Sequence, residues 1–99
     1  MSENVFEVVD KSGRKIRLTK KQWSHTLRKH PSLSDYLEEI KETLQNPIAI
    51  TYSDADKDVR FYYRYYKHLP SPHKYLLVIV KYLNGEGFII STYFEKTIK

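Results

Sequence analysis

The sequence contains no cysteine and no long apolar segment, and both absences limit what the protein can be. Without cysteine it forms neither a disulfide nor a thiolate metal site, and it has no cysteine nucleophile. No stretch approaches the roughly 18 apolar residues of a membrane-spanning helix, and the acidic, alternating residues 1–10 do not resemble a signal peptide. We therefore expect a soluble, cytoplasmic protein that does not bind a membrane.

Common phosphate-binding and metal-binding signatures are also missing. The three glycines form no phosphate-cradling loop, and neither a nucleophile elbow nor a zinc-finger pattern is present. His25 and His30 are five residues apart, whereas two metal ligands on one helix face are four apart. Asp54, Asp56 and Asp58 lack the glycine and the distant glutamate of a calcium loop. We therefore predict that the protein uses no metal ion and no cofactor.

Positive charge, by contrast, is abundant and concentrated in one segment. The chain carries a net charge of +5, and residues 11–30 contain eight Lys or Arg and no acid. His25 and His30 lie near the end of this segment. Such a block attracts phosphate groups, and histidine is the side chain best suited to transfer protons at neutral pH. A nucleic acid is therefore the first expected partner; the alternative is a solvated basic surface with two incidental histidines.

The first elements can be read from local patterns. A length of 99 residues predicts a single domain that occupies the whole chain. Alternation over residues 5–10 and 15–18, around a glycine-containing turn at 11–14, predicts a β-hairpin. The segment Thr19-Lys-Lys-Gln matches a capping box, so a helix begins there, and Pro31 ends it by disfavouring helical geometry at the preceding residue.

A second helix and several strands follow. Either Ser32 or Ser34 can cap this helix, and Asn46-Pro47 ends it. One buried stripe would contain Leu33, Tyr36, Leu37, Ile40 and Leu44. The rest of the chain alternates like strands at 48–52, 59–66, 75–82 and 88–94. We predict an α+β domain: an N-terminal β-hairpin, two α-helices, then a mainly antiparallel sheet of about four strands with the helices on one face.

Alternation divides the strand at 59–66 into two sets of side chains. The set that we expect in the core comprises Val59, Phe61, Tyr63 and Tyr65. The set that we expect at the surface comprises Arg60, Tyr62, Arg64 and Tyr66. Guanidinium groups interleaved with phenol rings are typical of surfaces that bind phosphates and stack bases. Lys81 is expected near this surface, and Ser91 and Tyr93 share a face of the last strand.

RNA is a substrate that this residue inventory could process without a cofactor. RNA carries its own nucleophile, the 2′-hydroxyl, so cleavage requires only a proton acceptor, a proton donor and cations around the phosphate. Histidine, arginine, lysine, tyrosine and serine provide all of these functions.

Residues 19–31, with Trp23, His25 and the pair His30-Pro31, resemble the phage-associated nuclease-like domains of the Barnase, EndoU, colicin and RelE superfamily. Further similar segments are 36–47, 60–64, 77–81 and 87–94. The resemblance implies two helices on an antiparallel sheet and metal-independent RNA cleavage on the concave side, often in toxins that an antitoxin neutralises. Residue by residue, it implies that the family's site residues correspond to His25, His30, Arg64, Ser91 and Tyr93.

The sequence therefore leads to a hypothesis of a toxin-like, metal-independent endoribonuclease. One histidine would remove the 2′-hydroxyl proton, while the other, or Tyr93, would protonate the leaving 5′-oxygen. Arg64, helped by Arg60 or Lys81, would stabilise the developing charge, and Ser91 would position the phosphate. The residues expected to bind substrate are Arg60, Tyr62, Lys81, Arg28 and Lys29. Two alternatives remain: a nucleic-acid-binding module without catalysis, and a protein-interaction domain that receives an acidic partner such as an antitoxin.

Overall fold

The computed structural model describes residues 3–69 and 72–99, which form one six-stranded mixed sheet and two α-helices. In chain order the elements are β1 (Asn4–Val9), β2 (Lys15–Thr19), α1 (Lys20–Lys29), a 3-10 helix (Pro31–Asp35), α2 (Leu37–Gln45), β3 (Ala49–Tyr52), β4 (Val59–Tyr65), β5 (Tyr75–Leu83) and β6 (Glu86–Glu95). The α+β class with a helical pair between strands is confirmed.

The N-terminal hairpin is part of the main sheet, so the predicted count of about four strands was too low. The strand order is β1-β2-β6-β5-β4-β3, and β2 joins β6 in parallel at Ile16 opposite Gly87 and Arg17 opposite Phe88. The other strand pairs are antiparallel. A Cβ at Gly87 would lie 2.9 Å from side-chain atoms of Ile16 and of Val80. Glycine therefore permits the close packing at this junction.

Helix α1 begins and ends where the sequence predicts. The Thr19 hydroxyl accepts a hydrogen bond from the backbone N–H of Gln22 at 3.1 Å, which satisfies one of the free donors of the first turn. His30 caps the C-terminal end, and Pro31 begins the 3-10 helix directly after it. The helical conformation cannot continue through His30 because the proline ring crowds the residue before it.

The start of the second helix differs from the prediction. Ser32 and Ser34 lie inside the 3-10 helix, and α2 begins after Tyr36, whose side chain makes no capping hydrogen bond. Pro31, with its fixed φ, starts the 3-10 helix instead. The predicted stripe is nevertheless correct, and its fully buried members are Leu33, Ile40 and Leu44.

The helices cover one side of the sheet, here called the helix face, and the opposite side is the open face. The main core lies under the helices, where Leu76, Val78 and Val80 of β5 are fully buried. Alternate residues of β5, including Leu77 and Lys81, lie on the open face. No helix within the described residues has the length and apolar character to cross a membrane.

The faces of β4 are the reverse of the prediction. Tyr62 is opposite Val78 in the antiparallel register, so both side chains lie on the helix face. Tyr62 is only 2% exposed and Tyr66 only 7%, because the core encloses them. The set with Phe61 and Tyr63, which the sequence assigned to the core, lies on the open face, although Val59 and Tyr63 are buried there as predicted.

Candidate functional site

Helix α1 lies beside the edge of β6 that β2 leaves unpaired. The β2–β6 pairing includes only Gly87 and Phe88 of β6. Beyond this point the Gln22 side-chain amide donates a hydrogen bond to the Ile90 carbonyl at 2.9 Å. Because α1 follows β2 directly, the chain is brought to this edge without a long connection. Side chains at the rim of α1 can therefore reach the open face.

A histidine and a tyrosine meet at this edge. The His30 and Tyr93 rings are stacked, with centroids 5.6 Å apart and an interplanar angle of 28°. The imidazole is half-buried, and the backbone N–H of His30 donates to the Thr26 carbonyl at 2.8 Å. Ser91 lies two residues before Tyr93 on the same strand and is half-buried. The structure thus brings together three residues that the sequence identified.

The phenol of Tyr93 is held in its neutral form. Burial raises the pKa of Tyr93 above its ordinary value, and the nearby Glu95 carboxylate and Tyr63 phenol raise it further. A tyrosine with a raised pKa keeps its proton at neutral pH and can donate it. Tyr93 therefore has a proton to give, although the raised pKa makes it a weaker acid than an ordinary tyrosine.

His25 lies on α1, five residues before His30. It is exposed and lines a shallow cavity of about 280 Å³ with Thr19, Lys21, Gln22 and Arg28. Gln22 is the residue that binds the β6 backbone at Ile90. None of the described β6 residues lines this cavity, so the structure does not place His25 with the His30–Tyr93 pair.

A groove extends from Tyr93 across the open face. Its volume is about 460 Å³, and its lining includes Tyr63, Tyr93, Leu77, Glu95 and Lys99. Tyr63 and Leu77 are buried, so they form part of its floor. Tyr93 thus contacts the imidazole on one side and the groove on the other. The sequence missed Tyr63 as a site residue because the alternation of β4 was assigned to the wrong face.

The cations around this region differ in whether the chain neutralises them. The Lys81 ammonium lies 2.6 Å from the Asp56 carboxylate on the open face, and this hydrogen bond raises the pKa of Lys81. By contrast, several cations of α1 form no ion pair with the described residues: Lys20, Lys21, Arg28 and Lys29. The α1 surface is therefore the uncompensated positive rim of the site, and it includes both predicted substrate-binding residues of the helix.

Arg64 does not join the histidines. Its Nη1 donates a hydrogen bond to the Asn46 carbonyl at 2.6 Å, and its Nε lies 3.4 Å from a Glu42 carboxylate oxygen. Arg64 is therefore on the helix face, at the C-terminal end of α2, where a cation is favourable for the helix dipole. The prediction that it faces the same hollow as His25 and His30 was wrong, because β4 presents its odd-numbered residues to the open face.

Arg60 and Tyr62 lie on the helix face for the same reason. The Arg60 guanidinium carbon is 4.5 Å from the centroid of the Tyr52 ring, and its Nη1 donates to the Lys57 carbonyl at 2.7 Å. The Tyr62 hydroxyl donates to the Asp10 carboxylate inside the protein. A buried tyrosine cannot stack on a base, so the expected role of Tyr62 in substrate binding is not compatible with the structure.

Residues 3–99 match the model of the family described as phage-Barnase-EndoU-ColicinE5/D-RelE like nuclease2. The chain belongs to this family. The match covers the whole described structure, and it confirms the resemblance noted in residues 19–31. No match was found among curated proteins or among solved structures.

This nuclease-like domain shows no preformed metal centre. Within residues 3–69 and 72–99, no group of three His, Cys, Asp or Glu side chains is arranged to hold a metal ion. His68 does lie beside a carboxylate, with its Nε2 2.9 Å from Glu39 on the helix side. The open-face site itself presents imidazole, phenol and hydroxyl groups, with the cations of α1 beside them.

Proposed function

We propose that this nuclease-like domain is an endoribonuclease that cleaves RNA without a metal ion. The observation that carries the proposal is the His30–Tyr93 stack at the open-face groove, next to the unpaired cations of α1. A general acid, a general base and a positive rim are the groups that attack by the 2′-hydroxyl requires.

In the proposed reaction, one of His25 and His30 accepts the proton of the 2′-hydroxyl. The 2′-oxygen then forms a bond to phosphorus, and the bond from phosphorus to the 5′-oxygen breaks. The other histidine, or Tyr93, gives a proton to the departing 5′-oxygen. The products are a 2′,3′-cyclic phosphate and a free 5′-hydroxyl. The ring contact between Tyr93 and His30 supports Tyr93 as an alternative donor, although its raised pKa makes the phenol a weaker acid than an ordinary tyrosine.

Substrate binding is assigned to the α1 rim. Arg28 and Lys29 would hold the RNA backbone, since both are exposed and carry uncompensated charge. Ser91 would position the reacting phosphate. Lys81 would contribute less, because its charge is already neutralised by Asp56. The stabilisation of developing charge, which the sequence hypothesis gave to Arg64, would come from the α1 cations instead.

The experiment is incubation of the purified protein with total RNA in the presence of EDTA. We expect cleavage with 2′,3′-cyclic phosphate ends, and loss of cleavage in a His25→Ala, His30→Ala double variant. His68→Ala is the matched control, because it removes an exposed imidazole on the helix side. Full activity of the double variant would remove the histidines from the mechanism. Strongly salt-dependent RNA binding without turnover would instead indicate a binding module.

The toxin-like role is a further part of the proposal. The α1 cations without carboxylate partners form a surface that an acidic antitoxin could cover, since charge complementarity guides such association. An acidic protein from a neighbouring reading frame should then inhibit RNA cleavage at an equimolar ratio. Undiminished cleavage in its presence would contradict the pairing.

A further inference from the structure

A cavity of about 150 Å³ lies at a corner of the helix face, away from the His30–Tyr93 pair. Its walls are side chains from β3, β4 and β5 together with Ser12 and Arg14 from the β1–β2 turn. No helix residue of the described chain lines it. The hairpin turn therefore replaces the helices as the neighbour of the sheet at this corner.

A buried carboxylate fixes the position of this turn. Asp10 is 5% exposed, and one of its oxygens accepts hydrogen bonds from the backbone N–H groups of Ser12 at 3.0 Å and Arg14 at 2.8 Å. The other oxygen accepts from the hydroxyls of Tyr62 and Tyr82. Asp10 is thus engaged by backbone and phenol donors, while the guanidinium group of Arg14 remains outside this network.

Two guanidinium groups face the cavity without a carboxylate partner. The central carbons of Arg14 and Arg60 lie 4.9 Å and 5.8 Å from the centroid of the same ring, Tyr82. Among the described residues neither forms an ion pair. Among the described residues, the Arg60 side chain donates hydrogen bonds to two backbone carbonyls, those of Lys57 and Val59, and both come from Nη1. Donors of both guanidinium groups therefore remain available to an anion.

An exposed aromatic ring adjoins these cations. Tyr52 lies directly opposite Arg60 in the β3–β4 register and is 66% exposed. The Arg60 guanidinium covers one part of the ring at 4.5 Å from its centroid, and the large exposure leaves ring surface open to solvent. A phenol ring beside a phosphate-binding arginine is a typical platform for an unpaired base.

We propose that Arg14, Arg60 and Tyr52 form an accessory site for one nucleotide of a single-stranded nucleic acid. The phosphate would lie between the two guanidinium groups, which bind such oxygens through paired N–H donors. The base would stack on Tyr52 outside the cavity, which is too small for a whole nucleotide. The inference rests on the proposed function in taking a nucleic acid as the ligand, but it places both guanidinium groups on the opposite face from the reacting groups, and Tyr52 at the sheet edge borders both the cavity and the open-face groove.

The test uses a probe that the proposed chemistry cannot cleave. Binding of a fluorescein-labelled oligodeoxythymidylate, which has no 2′-hydroxyl, is followed by anisotropy at several salt concentrations. An Arg14→Gln, Arg60→Gln variant should bind about tenfold more weakly. Its plot of log affinity against log salt should be shallower by about 0.7, the value for one lost phosphate contact on a single strand. The control is Lys67→Gln with Lys96→Gln, which removes two exposed charges elsewhere.

Variants of the aromatic ring test the other half of the site. Tyr52→Phe should bind the probe like the wild type, and Tyr52→Ala should bind about tenfold more weakly, because one stacked base is lost. An Arg14→Lys, Arg60→Lys variant retains the charge but not the paired donors, and should recover only part of the lost affinity. Thermal melting verifies that each variant is folded.

The proposal and the nuclease assignment fail separately. If the Arg14→Gln, Arg60→Gln variant binds the probe as tightly as the control in which Lys67 and Lys96 are replaced, the accessory site does not exist, whatever the cleavage assay shows. Equal binding by Tyr52→Phe and Tyr52→Ala, or full recovery with lysines, would also overturn it. A His25→Ala, His30→Ala variant that cleaves RNA normally would contradict the proposed mechanism and leave the accessory site untouched.

Discussion

Two tyrosine-containing clusters lie on opposite faces of the sheet and use their polar groups differently. On the helix face, the hydroxyls of Tyr62 and Tyr82 both bind the Asp10 carboxylate. On the open face, His30 and Tyr93 are in ring contact, and neither side chain makes a hydrogen bond among the described residues. The first cluster satisfies its own polar groups, as a buried network must. The second leaves its donors and acceptors to a ligand.

The comparison yields a rule for which substitutions affect stability and which affect function. The closed cluster consists of Asp10, Tyr62 and Tyr82. Removing one of its members leaves buried donors or acceptors without a partner, which lowers the free energy of unfolding. Changing the open cluster, His30 and Tyr93, removes groups whose polar atoms have no hydrogen-bond partner in the part of the chain that the structure describes, so it should cost little stability.

The largest effect is expected from His30→Ala. If His30 transfers a proton, its removal should lower the rate of RNA cleavage by about 10²- to 10⁴-fold. The free energy of unfolding should change by less than about 1 kcal/mol, because the side chain contributes one ring contact and no hydrogen bond. Single-turnover cleavage and urea denaturation of the same preparation check both statements. A large loss of stability would show that His30, like the residues of the closed cluster, mainly maintains the fold.

Asp10→Asn should have the opposite profile. The substitution removes a buried charge that accepts hydrogen bonds from four residues, so we expect a loss of about 2–3 kcal/mol in the free energy of unfolding. Cleavage per folded molecule at saturating RNA should be unchanged, because Asp10 lies on the face opposite to the His30–Tyr93 pair. Asp35→Asn, at an exposed position, is the control for loss of one negative charge.

The difference in the free energy of unfolding between the wild type and Asp10→Asn should depend on pH, because of the groups that surround Asp10. Burial alone would raise the pKa of Asp10, but the hydrogen bonds from Tyr62, Ser12, Arg14 and Tyr82 outweigh it and lower the pKa. A carboxyl group with a lowered folded-state pKa contributes stability above its unfolded-state pKa of about 3.9. This contribution is lost as the pH falls through the folded-state value. The stability gap between wild type and Asp10→Asn should therefore narrow below about pH 4.

The tyrosines of the closed cluster do not titrate in this range. Burial raises the pKa of Tyr82 to about 12, and burial together with the bond to Asp10 raises the pKa of Tyr62 still more. When urea denaturation is measured between pH 3 and pH 7, a change in the stability difference between the wild type and Asp10→Asn therefore reports on Asp10 and not on the two tyrosines. A gap that stays constant over this range would contradict the assignment.

Arg64→Ala tests the residue that the sequence placed in the wrong cluster. The guanidinium binds the Asn46 carbonyl at the end of α2, so its removal should cost about 1 kcal/mol of stability. RNA cleavage should fall less than twofold per folded molecule. Arg28→Ala, which removes an unpaired α1 cation, should weaken RNA binding with no loss of stability. A strong loss of RNA cleavage in Arg64→Ala would instead support the role that the sequence predicted for Arg64, the stabilisation of developing charge.

Local signals predicted the parts of the fold that local interactions determine. Thr19 caps α1 as its side chain and position indicate, and the Gly13 turn joins β1 to β2 with a φ of 88°, a conformation that glycine adopts freely. The same holds for the end of α2 at Asn46. Each of these features depends on contacts within a few residues, so sequence spacing is sufficient to find it.

The face of the sheet on which each β4 side chain lies depends on the pairing of β4 with β5, and local sequence patterns could not predict it. Both sets of alternating side chains are aromatic, so neither is clearly the core set. Loop residues 66–74 between β4 and β5 are too many to fix the register by turn geometry. Had the register been known, the aliphatic β5 residues Leu76, Val78 and Val80 would have assigned Tyr62 to the core, since paired residues share a face.

The candidate site was predictable only in part, for a related reason. His30 and Tyr93 meet because β2 pairs with β6 in parallel and α1 continues along the same edge. This pairing joins residues that are about 70 positions apart in the chain, and no local pattern indicates it. The resemblance to known nuclease-like domains identified the residues, whereas their arrangement required the structure.

The smallest predicted effect concerns Lys81, an open-face cation that the chain neutralises. Asp56→Asn would release its ammonium group while the Asn oxygen can still accept the hydrogen bond from the Asp58 backbone N–H. The stability loss should stay below about 1 kcal/mol, as for other surface ion pairs. RNA affinity at low salt should rise about two- to threefold, because one cation becomes available on the site's own face. Asp35→Asn changes the net charge equally, so an equal gain there would show that Lys81 does not contact RNA.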